Sequence, residues 1–536
     1  MRNYLLYLVM LVMGLTYGVH TSAQQASASP TEGVVRVKLQ REVAARISQA
    51  PLPMSNGVVT TGIKPLDRAN SQAKAVSIKR CIPYSPKYEA RHKAAGLDLW
   101  YEIKFDPTAM TPASARNLYK SVPGIQLVEE IRPMKLIGDG PARVVDMPKA
   151  AGTAKAEPFF NDPMLLQQWH YNNDGSLTGS MPGADINANA AWAIETGKKD
   201  VLVAIIDGAF QTDHPDLKDN VWVNEAELNG KPGVDDDGNG YVDDVYGWNF
   251  VYDSNDIYPH QHGTHVAGTV GATNDNGIGV SGVAGGSDGH GGVTMMVCQV
   301  FDSRSSLNAD FGSALVYAAD NGASIAQCSW GWDQSGYYEQ YVLDCIDYFT
   351  EYGGGGTLVS DGGTEEDTSD DVWDRSNAKM LGGLCIFANG NTGTTGTFYP
   401  AAYEPCVAVA AMDPMLNPAA YSSNGTFCDV TAPGGNVDYG TAYGVLSTLP
   451  NGQYGTMDGT SMACPHVSGI AALVLSKYGN PNFPNSTLRD QLVSSVNDFY
   501  TRNPQVEGLF GSGYIDAYKA LQMGSDEAPD AVAAIP

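Results

Sequence analysis

Basic residues are scarce in this sequence. Of its 536 residues only 32 are Lys or Arg, against 59 Asp and Glu, so the formal net charge is −27. A chain with this balance cannot neutralise a phosphate backbone, which argues against a nucleic-acid partner, and binding to an anionic membrane surface is disfavoured for the same reason. Clustered carboxylates are instead the natural ligands of calcium.

Cysteine is also sparse, with eight residues in the whole chain, which is too few for a disulfide-dense fold. Four of them, Cys298, Cys328, Cys385 and Cys406, lie in apolar runs that are typical of buried strands. We interpret them as buried structural thiols, which pack as small hydrophobic side chains. The sequence does not exclude one or two disulfides.

Long apolar runs are confined to the amino terminus. Arg2, an apolar stretch over residues 4–15 and small residues at 21–23 predict a signal peptide over residues 1–23. A membrane anchor is the alternative, but the run is shorter than the roughly 20 residues that a span needs. We therefore expect export, to the medium, the cell surface or the periplasm, and no membrane span in the processed chain.

The rest of the chain divides into two unequal parts. Residues 24–137 contain short alternating runs and one helical stretch, which predict a small α+β module. Residues 138–157 are rich in Gly, Ala, Pro and Lys without periodicity, as in an exposed linker. Residues 158–523 form the larger part, and residues 524–536 are typical of a loose tail.

Within residues 158–523, continuous apolar runs alternate with helical patterns. The runs at 201–206, 294–301, 323–329, 384–388 and 406–411 are typical of strands buried on both faces. This pattern predicts an α/β fold with a mostly parallel central sheet and helices on both faces. One predicted helix covers 308–321 with Asn308 as its cap, and the glycine-rich acidic stretch 353–374 is typical of a surface insertion.

Three short blocks carry residues suited to nucleophilic chemistry. Asp207 ends a buried run, His262 begins the block His-Gly-Thr-His-Val-Ala-Gly, and Ser461 precedes a run of small residues. In a nucleophilic triad the His takes the Ser proton and the Asp holds the imidazole in place. Each residue alone has an ordinary structural explanation, but the order Asp, His, Ser along the chain is that of subtilisin.

These blocks resemble the subtilase family of serine proteases over roughly residues 158–522. Gly-Thr-Ser461-Met-Ala-Cys-Pro-His, Ser447-Thr-Leu-Pro and the closing Gly513-Tyr-Ile-Asp-Ala occur in the family's order. The resemblance implies that Asp207, His262 and Ser461 are the catalytic triad. It also implies that the module at 24–137 is a prodomain, which acts as chaperone and inhibitor.

The resemblance extends to the residues that bind substrate. In Ala388-Asn-Gly-Asn-Thr-Gly393, Asn391 matches the side-chain donor of the oxyanion hole, with Gly390 beside it, whereas Asn389 lies two places too early. Ser329-Trp330-Gly331 resembles the strand edge that pairs with an extended peptide. Trp330 is bulky there, and we expect its ring to shape the neighbouring subsites.

The sequence departs from the family pattern at two places. Gly208 follows Asp207 where the family usually has Ser or Thr, so a hydroxyl that could support the carboxylate is missing. Asn389 occupies a position where a small residue is more usual. Neither change removes a catalytic atom, so we expect activity.

Two segments are candidates for structural calcium. The acidic turn at 235–244 has Asp, Asp and Asn in the positions of a calcium loop, followed by Gly240, but Tyr246 stands where such a loop has Glu. A solvated acidic turn is the alternative. The candidate ligands there are Asp235, Asp237, Asn239 and either Asp243 or Asp244.

The family resemblance implies a second calcium site, formed by Asp162, Asp216 and Asn276 with the carbonyls of Ile278 and Val280. Zinc between His262 and His265 is disfavoured because no third ligand follows in the pattern of a zinc protease.

The sequence thus predicts a secreted serine endopeptidase made as a zymogen, a monomer whose partners are protein or peptide substrates and its own propeptide. A catalytically weakened scaffold that binds peptides is the alternative, favoured by Gly208 and Trp330. An acidic calcium-binding surface protein would explain the acidic turn but not the three ordered blocks.

Overall fold

The computed structural model describes residues 29–47, 52–138, 140–148, 159–305, 309–360 and 372–522. The predicted signal peptide and tail lie outside these ranges, as does most of the second half of the predicted linker. Within them, no helix combines the length and the apolar character that crossing a bilayer requires.

The amino-terminal domain is a four-stranded antiparallel sheet covered by helices. Val35, Val37 and Leu39 alternate along its first strand and are buried against Tyr119 and other apolar side chains of the helices. In spatial order the strands are Ala75–Arg80, Trp100–Phe105, Val34–Leu39 and Ile125–Glu129, and the helices are Arg41–Ile47, Lys64–Ala73, Glu89–Ala94 and Pro112–Lys120.

The larger domain contains a nine-stranded sheet that is parallel except for one edge strand. Its central strands are buried on both faces, which explains their unbroken apolar sequences. This confirms the predicted mostly parallel α/β architecture. In spatial order the strands are Gly247–Asn249, Thr294–Phe301, Leu202–Gly208, Ile325–Cys328, Leu384–Ala388, Val407–Met412, Val430–Pro433, Tyr514–Ile515 and the antiparallel Val496–Asn497.

Helices cover both faces of this sheet, each face with its own apolar core. One face carries Gln261–Gly271, here the histidine helix, and Thr460–Tyr478, here the serine helix. The other face carries Phe311–Asp320 and Gln340–Tyr352. The remaining helices are Ala188–Trp192, Glu225–Leu228, Asn485–Ser494 and Ala517–Ala520.

The predicted cap of one helix is wrong. The helix expected over 308–321 begins at Phe311, because the Asp310 side chain accepts the hydrogen bond of the Ser313 amide at 3.0 Å. Asn308 itself lies outside the described residues.

Short elements complete the fold. The paired strands are Met54–Ser55 with Val58–Val59, Lys135–Leu136 with Trp330–Gly331, Thr357–Ser360 with Val372–Asp374, and Val445–Leu449 with Gln453–Met457 and Arg143–Val144. The single 3₁₀ turns are Leu97–Leu99, Leu165–Gln167, Lys218–Asn220, Val437–Tyr439, Thr441–Tyr443 and Pro504–Val506.

All eight cysteines fall in the described part of the chain, and each is a buried free thiol. The structure therefore agrees with buried structural cysteines and contains none of the disulfides that the sequence left open. Burial raises the pKa of each thiol for which a shift is resolved, including Cys464 in the serine helix. These thiols are therefore poor nucleophiles.

Buried ion pairs join the two domains. Arg36 of the first strand turns away from its own core and binds Glu339 at 2.9 Å. Arg91 and His92 both contact Asp320, each at 2.8 Å. In these pairs the smaller domain supplies the basic groups and the larger domain the carboxylates, so the two buried surfaces are matched in charge.

Candidate active site

Asp207 lies at the carboxyl end of a central strand, Leu202–Gly208, and its side chain is fully buried. Its Oδ1 accepts hydrogen bonds from the Gly208 amide at 2.7 Å and faces His262 Nδ1 at 2.8 Å. A carboxylate in this position places the imidazole proton on Nδ1 and leaves Nε2 as the base. The other oxygen, Oδ2, is buried and has no hydrogen-bond partner in the part of the chain that the structure describes.

Small residues allow the histidine helix to lie directly on neighbouring backbone. A Cβ added at Gly263 would lie 1.4 Å from the Gly208 carbonyl oxygen, and one at Gly268 would lie 2.2 Å from Thr448 Oγ1. The hydroxyls of Ser447 and Thr448 donate to carbonyls of this helix at 2.7 Å. This close packing sets His262, in the first turn, beside Asp207.

The missing hydroxyl at position 208 has a structural explanation. A Cβ at Gly208 would lie 2.6 Å from Cβ and 2.8 Å from Nδ1 of His260. His260 caps the histidine helix, because its Nδ1 accepts the His262 amide at 3.2 Å. The ring of His260 therefore fills the space that a serine or threonine side chain at 208 would need.

Ser461 lies in the first turn of the serine helix, directly after Gly459 and Thr460. Its Oγ donates to the Ser329 carbonyl at 3.3 Å. The positive end of the helix dipole lies at this turn, which favours negative charge developing on an oxygen beside it.

The two asparagines of the 388–393 block point in different directions. Asn391 Oδ1 accepts bonds from the Thr460 amide and hydroxyl at 3.0 and 2.9 Å. These two bonds orient the Asn391 side-chain amide so that Nδ2 lies beside Gly138 and Gly459. A Cβ added at Gly138 would lie 3.1 Å from Nδ2, and one added at Gly459 would lie 2.9 Å from it. Asn389 instead turns inward and donates to Cys428 Sγ. Gly390 donates its amide to Thr460 Oγ1 at 3.2 Å, which ties this loop to the serine helix.

The expectation that the Trp330 ring shapes the substrate subsites is wrong. The side chain is fully buried, its indole N–H donates to the Ile206 carbonyl at 2.8 Å, and it packs on Phe311 and Phe387. Alternation along a strand explains this, because the backbone of Trp330 lies at the surface edge while its side chain points into the core.

The chain itself passes through the site. We call the stretch formed by residues 135–138 and 140–145 the active-site segment. Leu136 and Lys135 pair antiparallel with Trp330 and Gly331, and the Ile137 amide donates to the Ser329 carbonyl at 3.1 Å. The Ile137 carbonyl oxygen lies 3.4 Å from His262 Nε2.

The Ile137–Gly138 peptide therefore lies among the groups that the triad chemistry needs. His262 Nε2 faces its carbonyl, Asn391 Nδ2 is next to Gly138, and Ser461 Oγ bonds the same Ser329 carbonyl that receives the Ile137 amide. An extended backbone held on a strand edge is how a peptide is presented to such a site.

The acidic turn at 235–244 forms a tight loop, and Glu227, which lies before the turn in sequence, joins its carboxylates. Oxygens of Glu227, Asp235 and Asp237 lie within 4.8 Å of one another. Glu227 is buried and accepts amide bonds from residues 236, 237 and 243. Asn239 Oδ1 accepts the Tyr241 amide at 2.8 Å.

The last two candidate ligands of the turn have other partners. Asp243 Oδ2 accepts the Gly233 amide at 2.8 Å. Asp244 is buried with Tyr317 and Asn239, and burial raises its pKa to about 7. The third carboxylate beside Asp235 and Asp237 is thus Glu227, whereas the sequence had suggested Asp243 or Asp244.

The second candidate cation site also comes together. Asp216 accepts bonds from Asn276 Nδ2 at 2.7 Å and the Val280 amide at 2.9 Å, and Asp162 accepts the Asn276 amide at 3.1 Å. The Ile278 amide donates to Asn276 Oδ1 at 2.9 Å.

Burial raises the pKa of Asp216 to about 8, and it also raises that of Asp162. These two buried carboxylates face a glycine-rich loop and have no basic partner among the described residues, which fits a hard divalent cation bound by oxygen ligands. His265, by contrast, faces the Val445 carbonyl at 2.9 Å, and burial lowers its pKa to about 3.

An α/β fold that brings an Asp, a His and a Ser to one peptide held on a strand edge has the layout of a nucleophilic hydrolase. Comparison with known sequences agrees with this class. The chain belongs to the subtilase family, whose model matches residues 198–513. A second model, the N-terminal of the subtilase family, matches residues 35–175.

Individual relatives are similar at about 30% identity. Subtilisin-like protease 1 of Plasmodium berghei is 29% identical over 387 residues, 70% of this chain and 56% of that protein. Halolysin of Haloferax mediterranei is 31% identical, over 65% of this chain and 54% of that protein. The chain thus spans little more than half the length of these relatives. Subtilisin BL of Lederbergia lenta is 32% identical, over 60% of this chain and 91% of that protein.

Solved structures share the fold. Fervidolysin from Fervidobacterium pennivorans superposes with a TM-score of 0.56 at 20% identity, over 92% of this chain and 61% of that one. The epidermin leader peptide processing serine protease from Staphylococcus aureus gives 0.53 at 19% identity, over 93% of this chain and all of that one.

Sequence reasoning missed two residues at the candidate active site, Ile137 and His260, and one at the acidic turn, Glu227. Ile137 had no local signal, because only the folded chain shows which bond reaches the triad. His260 could have been noticed as the partner of Gly208, since it lies two places before His262. Glu227 precedes the acidic turn in a polar stretch and carries no motif of its own.

Proposed function

We propose that the chain is a serine endopeptidase made as a zymogen. The observation that carries this proposal is the Ile137–Gly138 peptide, held on the Ser329–Gly331 edge with its carbonyl oxygen 3.4 Å from His262 Nε2. Protein and peptide substrates would bind the same edge through their backbones. We also propose that the enzyme is secreted and monomeric. Its acidic composition argues against a nucleic-acid partner.

In this mechanism Ser461 Oγ attacks the carbonyl carbon of the residue before the scissile bond, and His262 Nε2 takes its proton. Asp207 holds Nδ1–H and stabilises the imidazolium. The oxyanion accepts hydrogen bonds from Asn391 Nδ2 and the Ser461 amide, which strengthen as charge develops. His262 then protonates the leaving amine, and water hydrolyses the acyl-enzyme by the same route.

The zymogen part of the proposal locates the first cut. Residues 24–137 act as an inhibitor domain, and the bond between Ile137 and Gly138 is the one presented to Ser461. This places the cut at the amino-terminal end of the 138–157 region in which the sequence predicted processing.

Mass spectrometry of the purified full-length chain tests this cut. We expect a fragment that ends at Ile137 and a partner that begins at Gly138, both absent from the Ser461→Ala variant. Cleavage elsewhere would contradict the assignment of the bond, and an unprocessed chain that also fails to hydrolyse peptides would support the weakened scaffold, for which Gly208 remains the argument.

Structural calcium is the second part of the proposal. Asp162, Asp216 and Asn276 would hold one ion, and Glu227, Asp235 and Asp237 another, where calcium would stabilise surface loops. Calcium would add stability by binding only the folded chain. We expect a chelator to lower the thermal midpoint by several degrees, and Asp216→Asn to reduce that shift. Equal midpoints with calcium and with chelator would contradict the proposal.

A further inference from the structure

A second strand edge lies on the far side of the scissile peptide. The strand Gln453–Met457 forms a hairpin with Val445–Leu449, and its other edge pairs antiparallel with Arg143–Val144. The Val145 amide also donates to the Tyr454 carbonyl at 2.9 Å. This edge is distinct from Ser329–Gly331, which holds residues before the bond.

The strand on this edge is continuous in sequence with the peptide in the catalytic centre. After Gly138, the Gly140 carbonyl accepts a bond from Gln261 Nε2 at 3.2 Å, and the chain then reaches the Gln453–Met457 edge. Arg143 and Val144 are the sixth and seventh residues after Ile137. The chain thus traces where a substrate's carboxyl-terminal side would run.

The edge is shaped to receive a backbone closely. A Cβ added at Gly455 would lie 2.8 Å from the Arg143 carbonyl oxygen, so a larger residue would push the added strand away. A cavity of about 650 Å³ opens beside Val145, with apolar Trp169 and Leu446 and polar Gln168 and Asn173 among its lining residues. Backbone pairing and a cavity that can receive a side chain are the two parts of recognition by strand addition.

We propose that the edge of Gln453–Met457 that Arg143–Val145 occupies in this structure, with its adjoining cavity, binds an extended segment of substrate polypeptide six to eight residues after the scissile bond. The inference rests on the proposed endopeptidase function and deepens it. Substrates with long extended carboxyl-terminal sides gain affinity there, and an apolar side chain at the eighth position enters the cavity.

The chain's own segment competes for this surface. Cleavage at Ile137–Gly138 frees the new amino terminus but leaves Arg143–Val145 covalently attached to the larger domain. As long as Arg143–Val145 stays paired with the edge, it blocks the binding of substrate there. Substrate length should therefore matter most in an enzyme whose own segment binds poorly.

The test compares three peptides of this chain's own sequence, each cleaved after Ile137. The first covers residues 134–148, the second ends at residue 142, and the third is the first with Val145→Pro, which removes the amide that donates to Tyr454. They are assayed on the self-processed enzyme and on its Val145→Pro variant, in which the competing segment is weakened. Val145→Ala, which keeps the amide, is the matched control. If the proline variant misfolds, the KM values of the three peptides on the unmodified enzyme decide.

On the proline variant we expect the long peptide to have a KM about tenfold below those of the other two at unchanged kcat, as two or three added backbone hydrogen bonds would give. On the unmodified enzyme the difference should be smaller. Equal KM values for all three peptides on every enzyme form would overturn this inference alone. Failure to cleave any of them would contradict the proposed function itself, and this inference with it.

Discussion

Among single residues, the neighbours of a side chain decide its role in the site more than its chemical type does. Gly208 leaves room for His260, whose ring caps the histidine helix and fills the place of a missing hydroxyl. Asp207 Oδ2 is buried and has no hydrogen-bond partner among the described residues. Gly208 and His260 therefore fit together beside Asp207. The distance between Asp207 Oδ1 and His262 Nδ1 is 2.8 Å in their presence.

The orientation of Asn391 gives a prediction at this scale. Asn391→Ala removes an amide donor beside the Ile137–Gly138 peptide, so we expect kcat to fall by about 10²–10³ with little change in KM. Asn389→Ala is the matched control, because Asn389 faces Cys428 and should keep kcat within a few-fold. Steady-state kinetics on one peptide substrate decides, and similar losses in both variants would exclude Asn391 as the oxyanion donor.

Among the elements, the helix that carries His262 is held by close packing against neighbouring backbone. The histidine helix touches the strand of Asp207 through Gly263, where no side chain fits. Small residues at that interface thus determine how far His262 Nε2 lies from the bound peptide.

This packing makes Gly263→Ala strongly disruptive. The added Cβ would overlap the Gly208 carbonyl, so we expect a loss of about 2–3 kcal/mol in unfolding free energy and at least tenfold in kcat. Gly271→Ala, at the end of the same helix, has side-chain atoms of Met295 and Val293 as its nearest neighbours at 3.3–3.5 Å and should lose less than about 1 kcal/mol. Denaturant unfolding measures both, and equal stabilities would contradict the account.

The elements also show how far sequence reasoning reaches. Thr294–Phe301 and Leu384–Ala388 match their predicted runs because strands buried on both faces have continuous apolar sequences. The cap at Asp310 was missed because a nearby Asn308 carries the same chemistry. The orientation of Trp330 and the path of the active-site segment depend on contacts between distant residues, which no local pattern records.

At the scale of the whole molecule, the amino-terminal domain covers the larger one with buried charges and threads its last residues through the site. Glu339 lies at this interface, bonded to Arg36 and the Arg132 amide at 2.9 Å each. Burial raises its pKa from 4.5 to about 7, although Arg36 opposes the shift.

This raised pKa predicts how stability depends on pH. Between about pH 4.5 and 7 the folded chain keeps a proton that the unfolded chain has released, so the contribution of Glu339 to stability falls as pH rises through this range. Glu339→Gln cannot titrate, so its unfolding free energy relative to the parent should rise from pH 4.5 to 7. Glu507→Gln, at an exposed site away from the interface, is the control. A difference independent of pH would contradict the assignment.

Intact-mass analysis after treatment with a fluorophosphonate, in calcium, on the self-processed chain and on Ser461→Ala tests whether Ser461 is the nucleophile. We expect one adduct, mapped to Ser461, on a species that begins at Gly138, and none on the variant. A processed chain that takes up no label, or a label on another residue, would contradict Ser461 as the nucleophile.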